Sequence, residues 1–152
     1  MAIQLFKAKY EVEECLAQIR ECLEAGWTGL GFKTVEFEKA WRAYTGLPFA
    51  HYLNSSTIGL YMAVDILKEQ YGWKDGDEII TTPITFVSSN HAILKAGMKA
   101  VFADIDDTMC LAPESVEQHI TEKTRAVMYV GIGGNMGHYY EIAKICAKNN
   151  LK

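Results

Sequence analysis

The feature that most constrains this fold is a regular alternation of short apolar runs with amphipathic segments after Pro48. Strands that read as nearly continuous apolar runs and are separated by helices are typical of a parallel sheet covered on both faces. The predicted strands cover residues 49–53, 78–82, 99–105 and 125–130, and the predicted helices cover residues 57–70, 86–95, 113–120 and 138–148. The chain is therefore predicted to be α/β, with a mainly parallel sheet in a three-layer αβα arrangement and right-handed crossovers.

The residues before this alternation are predicted to form a helical arm. Apolar residues recur at three- and four-residue steps over residues 11–25, and a second helix is predicted over 33–44, each followed by a glycine. The segment between them contains three glycines beside Trp27 and Thr28, which indicates a constrained loop. The predicted organisation is a helical arm over residues 1–47 and a larger domain over residues 48–152.

Composition and charge exclude several classes of function. The 152 residues carry 15 Lys and Arg against 19 Asp and Glu, and no basic stripe is present to neutralise a nucleic-acid backbone. The apolar runs within residues 79–86 and 98–103 fall far short of the roughly 20 apolar residues that cross a bilayer. The N-terminus also lacks the apolar core of a secretory signal. We expect no nucleic-acid partner, no membrane span and a cytoplasmic location.

Metal and hydrolase chemistry are not expected either. The four cysteines are dispersed and form no C-x-x-C pair. Asp104, Asp106 and Asp107 follow the third predicted strand, where such residues more often accept hydrogen bonds in a turn than bind a metal. The four histidines are scattered, and no serine or cysteine lies in a nucleophile-elbow context. The sequence therefore predicts no metal site.

The first candidate binding residues lie between the first predicted strand and its helix. Ser56 and Thr57 occupy this turn. The first N–H groups of a helix have no intrahelical partner and carry positive potential, so hydroxyls beside them suit a phosphate. Capping of the helix by Ser56 or Thr57 is the alternative role. From these residues alone capping is the commoner role, and both remain open.

The second candidate region follows the second predicted strand, at the carboxyl edge where ligands of open α/β sheets bind. Phe86 offers an aromatic face to a planar ring, although it also suits a core position at a helix start. Thr85, Ser88 and Asn90 offer hydrogen bonds. After the fourth predicted strand, the glycine-rich residues 131–138 match neither a P-loop nor a dinucleotide fingerprint, and they predict a tight bend.

Seven short segments occur in a specific order and spacing. They are Gly26-Trp27-Thr28 with Val35-Glu36-Phe37-Glu38, Asn54-Ser55-Ser56-Thr57, Asp75-Gly76-Asp77-Glu78-Ile79-Ile80, Pro83-Ile84-Thr85-Phe86-Val87, Ala96-Gly97, Val101-Phe102-Ala103-Asp104-Ile105-Asp106 and Ile120-Thr121-Glu122-Lys123-Thr124-Arg125-Ala126-Val127. Together they resemble the N-terminal part of the DegT/StrS sugar aminotransferase family, over nearly the whole chain. The resemblance implies the aspartate-aminotransferase fold, also called the type I fold of pyridoxal-phosphate enzymes, and pyridoxal 5'-phosphate as the cofactor.

The resemblance also assigns roles to individual residues. By position, Ser56, Thr57 and the backbone N–H of Ile58 would hold the cofactor phosphate, and Phe86 would stack on the pyridine ring. Both roles agree with the physical interpretation, because helix N–H groups suit a phosphate dianion and a stacked ring fixes the plane of the cofactor. Trp27 and Thr28 resemble the family segment near the substrate entrance at the dimer interface.

Two differences from the family pattern are visible. The family has an aspartate that keeps the pyridine nitrogen protonated and a lysine that forms the Schiff base, and both positions would fall beyond Lys152. No catalytic residue is therefore assigned, and residues 48–152 are predicted to be a partial large domain, cut before that lysine. Gly131 stands where the family commonly has a histidine.

The implied activity of an intact relative is transfer of an amino group from an amino acid, typically glutamate, to a keto group on a nucleotide-linked sugar. Such chemistry belongs to polysaccharide biosynthesis, and the family implies a homodimer. The chain alone is predicted to be inactive. Dehydratase relatives share the scaffold, with a histidine in place of the lysine. The alternative function is a stand-alone module that binds a phosphorylated ligand or a partner without catalysis, using its exposed sheet edge.

Overall fold

The computed structural model describes residues 7–26 and 29–152. Its elements in chain order are α1 (Val12–Ala25), α2 (Phe32–Thr45), α3 (Ser56–Tyr71), β1 (Glu78–Thr81), α4 (Val87–Lys95), β2 (Lys99–Phe102), α5 (Pro113–Gln118), β3 (Thr124–Val127), a 3₁₀ turn (Ile132–Gly134) and α6 (Tyr139–Lys148). Within the described ranges, every helix is too short or too polar to cross a membrane. Chain contacts divide the molecule into two units, Met1–Tyr52 and Leu53–Lys152.

The N-terminal unit is built on α1 and α2. Each helix ends at a glycine in the left-handed conformation, Gly26 at φ 65° and Gly46 at φ 71°, as expected for a C-terminal glycine that satisfies a last-turn carbonyl. Neither helix contains a fully buried residue. Leu16 and Leu23 on the apolar stripe of α1 are exposed by 52% and 75%.

The predicted strand over residues 49–53 is wrong, because these residues form irregular structure. Phe49 and Tyr52 are largely exposed. The backbone N–H of Tyr52 donates to the carboxylate of Glu38 at 2.8 Å, and its ring packs edge-on against Phe37. This N–H is therefore engaged by a side chain and not by a neighbouring strand. The residues that the structure describes form three strands, where the sequence predicted four.

The second unit contains a parallel sheet in the order β2-β1-β3. The central strand β1 is buried along its whole length, as expected for a strand that is covered on both faces. Successive side chains of a strand point to opposite faces, and Ile79 and Ile80 accordingly belong to two different core clusters. Both side chains are almost completely buried.

Helices cover both faces of this sheet. Ile79 packs in a cluster with Val64 of α3 and Ile93 of α4, whereas Ile80 packs with Val116 of α5 and Ile142 of α6. The three layers are therefore α3 and α4, the sheet, and α5 and α6. The α/β prediction is confirmed, and the arrangement is consistent with part of a type I pyridoxal-phosphate domain.

Two strands end earlier than predicted. β2 ends at Phe102 and β3 ends at Val127. After β2, Ile105 forms an isolated antiparallel bridge with Leu111, and the chain between them makes a tight turn. Asp106 organises this turn, since its Oδ1 accepts hydrogen bonds from the backbone N–H and the hydroxyl of Thr108. The predicted turn-forming role is thus confirmed for Asp106.

Candidate functional site

An open cavity of about 560 Å³ lies beyond the carboxyl ends of β1 and β3. This volume is within the range of small-molecule sites, roughly 300–1,000 Å³. Three chain segments meet there: the start of α3, the loop that leads into α4, and the segment that follows β3. The lining residues are Ser56, Thr57, Leu60, Thr85, Phe86, Ser88, Ser89, Val130, Gly131, Ile132 and Gly133.

The start of α3 presents two free hydroxyls to this cavity. Ser55 is the N-cap of the helix, and its Oγ accepts from the backbone N–H of Ile58 at 3.3 Å. The alternative that Ser56 or Thr57 caps the helix is therefore wrong. Neither hydroxyl has a hydrogen-bond partner among the described residues, so both are available to a ligand. The N–H of Ile58 already has a partner, although the bond is long, and Ile58 does not line the cavity.

Phe86 lies on the wall formed by the loop before α4. Its side chain is 76% exposed, so the alternative of a core position is wrong. Behind it, the side chain of Asn90 accepts from the hydroxyl of Thr81 at 2.9 Å and donates to the carbonyl of Thr82 at 3.1 Å. Asn90 therefore holds the loop in place and does not line the cavity, whereas Thr85 and Ser88, which the sequence also indicated, do line it.

The third wall comes from the glycine-rich segment after β3. The predicted tight bend is confirmed by the positive φ angles of Gly133, Gly134 and Gly137. Two residues that anchor this segment were missed by the sequence analysis. Tyr129 donates its hydroxyl to the carbonyl of Met136 at 2.7 Å, and burial raises the pKa of that phenol well above its usual range. Asn135 is the other anchor. The only sequence signal near it is the group of surrounding glycines, which indicates a turn but not the role of Asn135.

Two ion pairs lie at the opposite edge of the sheet, where β1 begins. Arg125 binds both carboxylate oxygens of Asp77, at 2.8 and 3.2 Å, and this contact holds the pKa of Asp77 below its usual value. The hydroxyl of Thr121 and then the ammonium of Lys99 lower the pKa of Glu78 in the same way. The residues that line the cavity, in contrast, are all uncharged.

The site residues predicted from the sequence are therefore brought together in part. Ser56, Thr57 and Phe86 line one cavity. The predicted substrate residues Trp27 and Thr28 lie outside the described residues.

The cavity residues fit a phosphorylated ligand with a planar ring. Unpaired hydroxyls at the first turn of a 16-residue helix suit a phosphate, and an exposed phenyl face suits a ring. The fold and the cavity define an open α/β protein of the class that binds such ligands at the carboxyl edge of its sheet. The chain belongs to the DegT/DnrJ/EryC1/StrS aminotransferase family, whose family model matches residues 9–152.

Comparison with individual proteins agrees with this assignment. The spore coat polysaccharide biosynthesis protein SpsC of Bacillus subtilis is 38% identical over 123 residues, which are 80% of this chain and 31% of SpsC. NtdA of Bacillus subtilis, solved with bound pyridoxamine phosphate, has a TM-score of 0.84 and 27% identity, covering 93% of this chain and 32% of NtdA. DesI, solved in the presence of its TDP-sugar product, has a TM-score of 0.79 and 27% identity, covering 95% of this chain and 36% of DesI.

The chain spans about a third of the length of the curated relatives it matches, 35% and 31% of the first two. The predicted family is confirmed, and so is pyridoxal phosphate as the cofactor of that family.

Proposed function

We propose that this chain is the N-terminal part of a pyridoxal-phosphate-dependent aminotransferase that moves an amino group from an amino acid, typically glutamate, to a keto group on a nucleotide-linked sugar. The observation that carries the proposal is the single cavity lined by Ser56, Thr57 and Phe86, in a chain that belongs to this family. The TDP-sugar product of DesI and the polysaccharide role of SpsC support a sugar substrate.

The start of α3 binds the cofactor phosphate in this proposal. The hydroxyls of Ser56 and Thr57 donate to the phosphate oxygens, together with N–H groups of the first helical turn. The N–H of Ile58 joins them by giving up its long bond to Ser55. The helix dipole adds favourable potential for an anion at this end of α3, so the site needs no cationic side chain of its own.

Phe86 orients the ring of the cofactor. A phenyl face fixes the plane of a pyridine ring without using polar partners, and such aromatic contacts contribute about 0.5–1.5 kcal/mol beyond area burial. Val130 and the glycines that follow it form the opposite part of the lining. Bound in this cavity, pyridoxal phosphate supplies the electron sink for amino-group transfer.

The chain by itself does not catalyse transamination in this proposal, because no lysine lines the cavity. Borohydride reduction of the 152-residue chain with pyridoxal phosphate should therefore leave no stoichiometric, site-specific pyridoxyl-lysine. A single defined adduct, located by peptide mass spectrometry, would refute this part of the proposal.

Cofactor binding is tested directly with pyridoxamine 5'-phosphate, which cannot react with surface lysines. We expect Thr57→Val to weaken its binding roughly tenfold to a hundredfold, because hydrogen bonds to charged groups contribute about 1.5–3 kcal/mol. Phe86→Ala should weaken it roughly threefold to tenfold. Isothermal titration calorimetry on the whole chain measures both dissociation constants.

The chain offers matched controls for both changes. Thr34 lies in the first turn of α2 and is half-buried like Thr57, so Thr34→Val tests a first-turn threonine that does not line the cavity. Phe49 is 76% exposed, the same fraction as Phe86, so Phe49→Ala tests the loss of an exposed phenyl ring. Equal effects of the control and site variants, or no binding by the wild type, would contradict the proposed site.

The remaining assignments follow from the same function. We propose from the family resemblance that Trp27 and Thr28 take part in substrate binding, that the protein forms a homodimer, and that it works in the cytoplasm. Residues 1–47 form the arm, and residues 48–152 form part of the cofactor-binding domain.

A second candidate function is a module that binds a phosphorylated ligand or a partner without catalysis. The absence of a lysine from the cavity lining favours it. Two results together would support this second function. The chain would be a single monodisperse species in light scattering, and it would bind pyridoxamine phosphate but no amino acid donor.

A further inference from the structure

The segment over residues 131–137, named here the glycine loop, contains short backbone turns, in which the N–H of Gly134 donates to the carbonyl of Gly131 and the N–H of Asn135 donates to the carbonyl of Ile132. Four of its seven residues are glycine, the residue that loses most conformational freedom on folding. Gly131, Ile132 and Gly133 nevertheless form one wall of the cavity. The shape of that wall therefore depends on whatever holds the glycine loop in place.

The side chain of Asn135 holds the glycine loop at two points. Its Nδ2 donates to the carbonyl oxygen of Thr108 at 2.8 Å, and its Oδ1 accepts from the backbone N–H of Gly137 at 3.1 Å. Thr108 is itself fixed, because its backbone N–H donates to Oδ1 of Asp106 at 2.8 Å. The amide of Asn135 thus ties the glycine loop to the turn that follows β2.

The backbone of Asn135 sets the position of the cavity wall. A Cβ atom added to Gly131 would lie 2.7 Å from the carbonyl oxygen of Asn135, a distance that real Cβ atoms essentially never show. The thiol of Cys110, which is completely buried, donates to the same carbonyl oxygen at 3.6 Å. The backbone of Gly131 in the cavity wall therefore lies close against the backbone of Asn135.

We infer that Asn135 is a positioning residue for the cofactor: it holds the Gly131–Gly133 wall against the ring portion of the ligand and does not touch the ligand itself. The inference rests on the proposed function. In the proposed function the phosphate binds at the start of α3, on a different segment of the chain. Asn135 therefore contributes to binding of the ring and not to binding of the phosphate. This separation makes the role testable with two probes.

The experiment compares pyridoxamine 5'-phosphate with inorganic phosphate, each titrated into the whole chain and followed by ¹⁵N–¹H NMR. Asn135→Ala should raise the dissociation constant of pyridoxamine phosphate about tenfold, which is about 1.4 kcal/mol. The dissociation constant of inorganic phosphate should change less than twofold. A purely structural role would alter both probes in proportion, so the ratio of the two constants is the diagnostic quantity.

The matched control is Asn149→Ala. Asn149 also donates its Nδ2 to a backbone carbonyl, that of Ile145 at 2.9 Å, but at the end of α6 and away from the cavity. This variant should leave the dissociation constants of both probes within twofold of wild type.

Gly131→Ala approaches the same contact from the other side. It should weaken the binding of pyridoxamine phosphate and not that of inorganic phosphate, as Asn135→Ala does. The double variant should bind pyridoxamine phosphate as tightly as the more affected single variant, since the effects of residues that share a contact are not additive. If Asn135→Ala does not fold by circular dichroism, Asn135→Asp replaces it. That variant keeps the size and the acceptor oxygen but places a second oxygen against the carbonyl of Thr108.

The outcomes separate the two proposals. One outcome is that the wild type binds pyridoxamine phosphate and that neither the Asn135 nor the Gly131 variant changes the ratio of the two dissociation constants. This outcome would overturn the positioning role and leave the proposed function intact. A wild-type chain that binds pyridoxamine phosphate no more tightly than inorganic phosphate would overturn both.

Discussion

Replacing Gly137 with alanine should destabilise the fold far more than the same change at Gly134, although both glycines belong to the glycine loop. Both have positive φ, 44° at Gly137 and 83° at Gly134. A Cβ atom at Gly137 would lie 2.7 Å from Cβ of Cys110, 2.7 Å from the hydroxyl of Tyr129 and 2.9 Å from the hydroxyl of Thr108. A Cβ atom at Gly134 would meet nothing within 4 Å.

The magnitude follows from two separate costs. A left-handed backbone conformation costs a non-glycine residue about 1–2 kcal/mol, and this cost applies to both positions. Overpacking a filled site adds about 1–3 kcal/mol, and this cost applies to Gly137 alone. Alanine also reduces the entropy of the unfolded chain by a similar amount at both positions. The difference in unfolding free energy between the two variants should therefore be about 2 kcal/mol.

Urea unfolding followed by far-ultraviolet circular dichroism measures this difference by linear extrapolation. In thermal scans the same difference should lower the Tm of Gly137→Ala by roughly 4–8 °C relative to Gly134→Ala. Equal stabilities of the two variants would refute the reasoning. They would show that Cys110 and Tyr129 relax at no cost, and hence that the turn after β2 does not press on the glycine loop.

Two further predictions concern the sheet. The pKa values of Asp77 and Glu78 are held below their ordinary values of 3.8 and 4.5, so their contribution to stability is present above those values and is lost as the pH falls through the lowered pKa values. The urea concentration at the unfolding midpoint should stay nearly constant from about pH 7 to pH 5 and should decrease at pH values below about 4. The decrease should be smaller in Asp77→Asn. An equal decrease in that variant and in the wild type would count against a stabilising role of the ion pair. Ile80→Ala should lower the free energy of unfolding by about 2–5 kcal/mol, because the side chain of Ile80 is completely buried. Ile66→Ala should change the free energy of unfolding by no more than about 0.5 kcal/mol, because the side chain of Ile66 is 56% exposed. Similar losses for the two variants in urea unfolding would contradict the described core.

The helices could be predicted from the sequence because their signals are local. The apolar period and the following glycine placed the first helix over residues 11–25, and the structure has α1 at Val12–Ala25. The strand predicted over residues 49–53 failed because a strand depends on a partner. A run containing Phe49 and Tyr52 resembles a buried strand in isolation, yet both side chains are exposed and the N–H of Tyr52 is taken by Glu38.

The candidate site divides in the same way. The position of Ser56, Thr57 and Phe86 at the cavity could be predicted because ligands of open α/β sheets bind where strands end and helices begin. Asn135 could not, because its side-chain bond reaches Thr108, 27 residues away in the chain. Spacing along the sequence does not report such a contact, and the surrounding glycines indicate a turn without saying what it packs against.

The cavity draws its lining from the first turn of α3, from residues 85–89 and from residues 130–133, which are separated by about 30 and 40 positions in the chain. No single strand and helix pair carries the site, so it exists only when β1 and β3 are paired. Ligand capture and sheet formation are therefore linked equilibria, and a ligand at a hundred times its Kd would add about 2.7 kcal/mol to the free energy of unfolding. In the proposed function, a shortage of pyridoxal phosphate would therefore enlarge the unfolded fraction of the chain and its exposure to proteolysis.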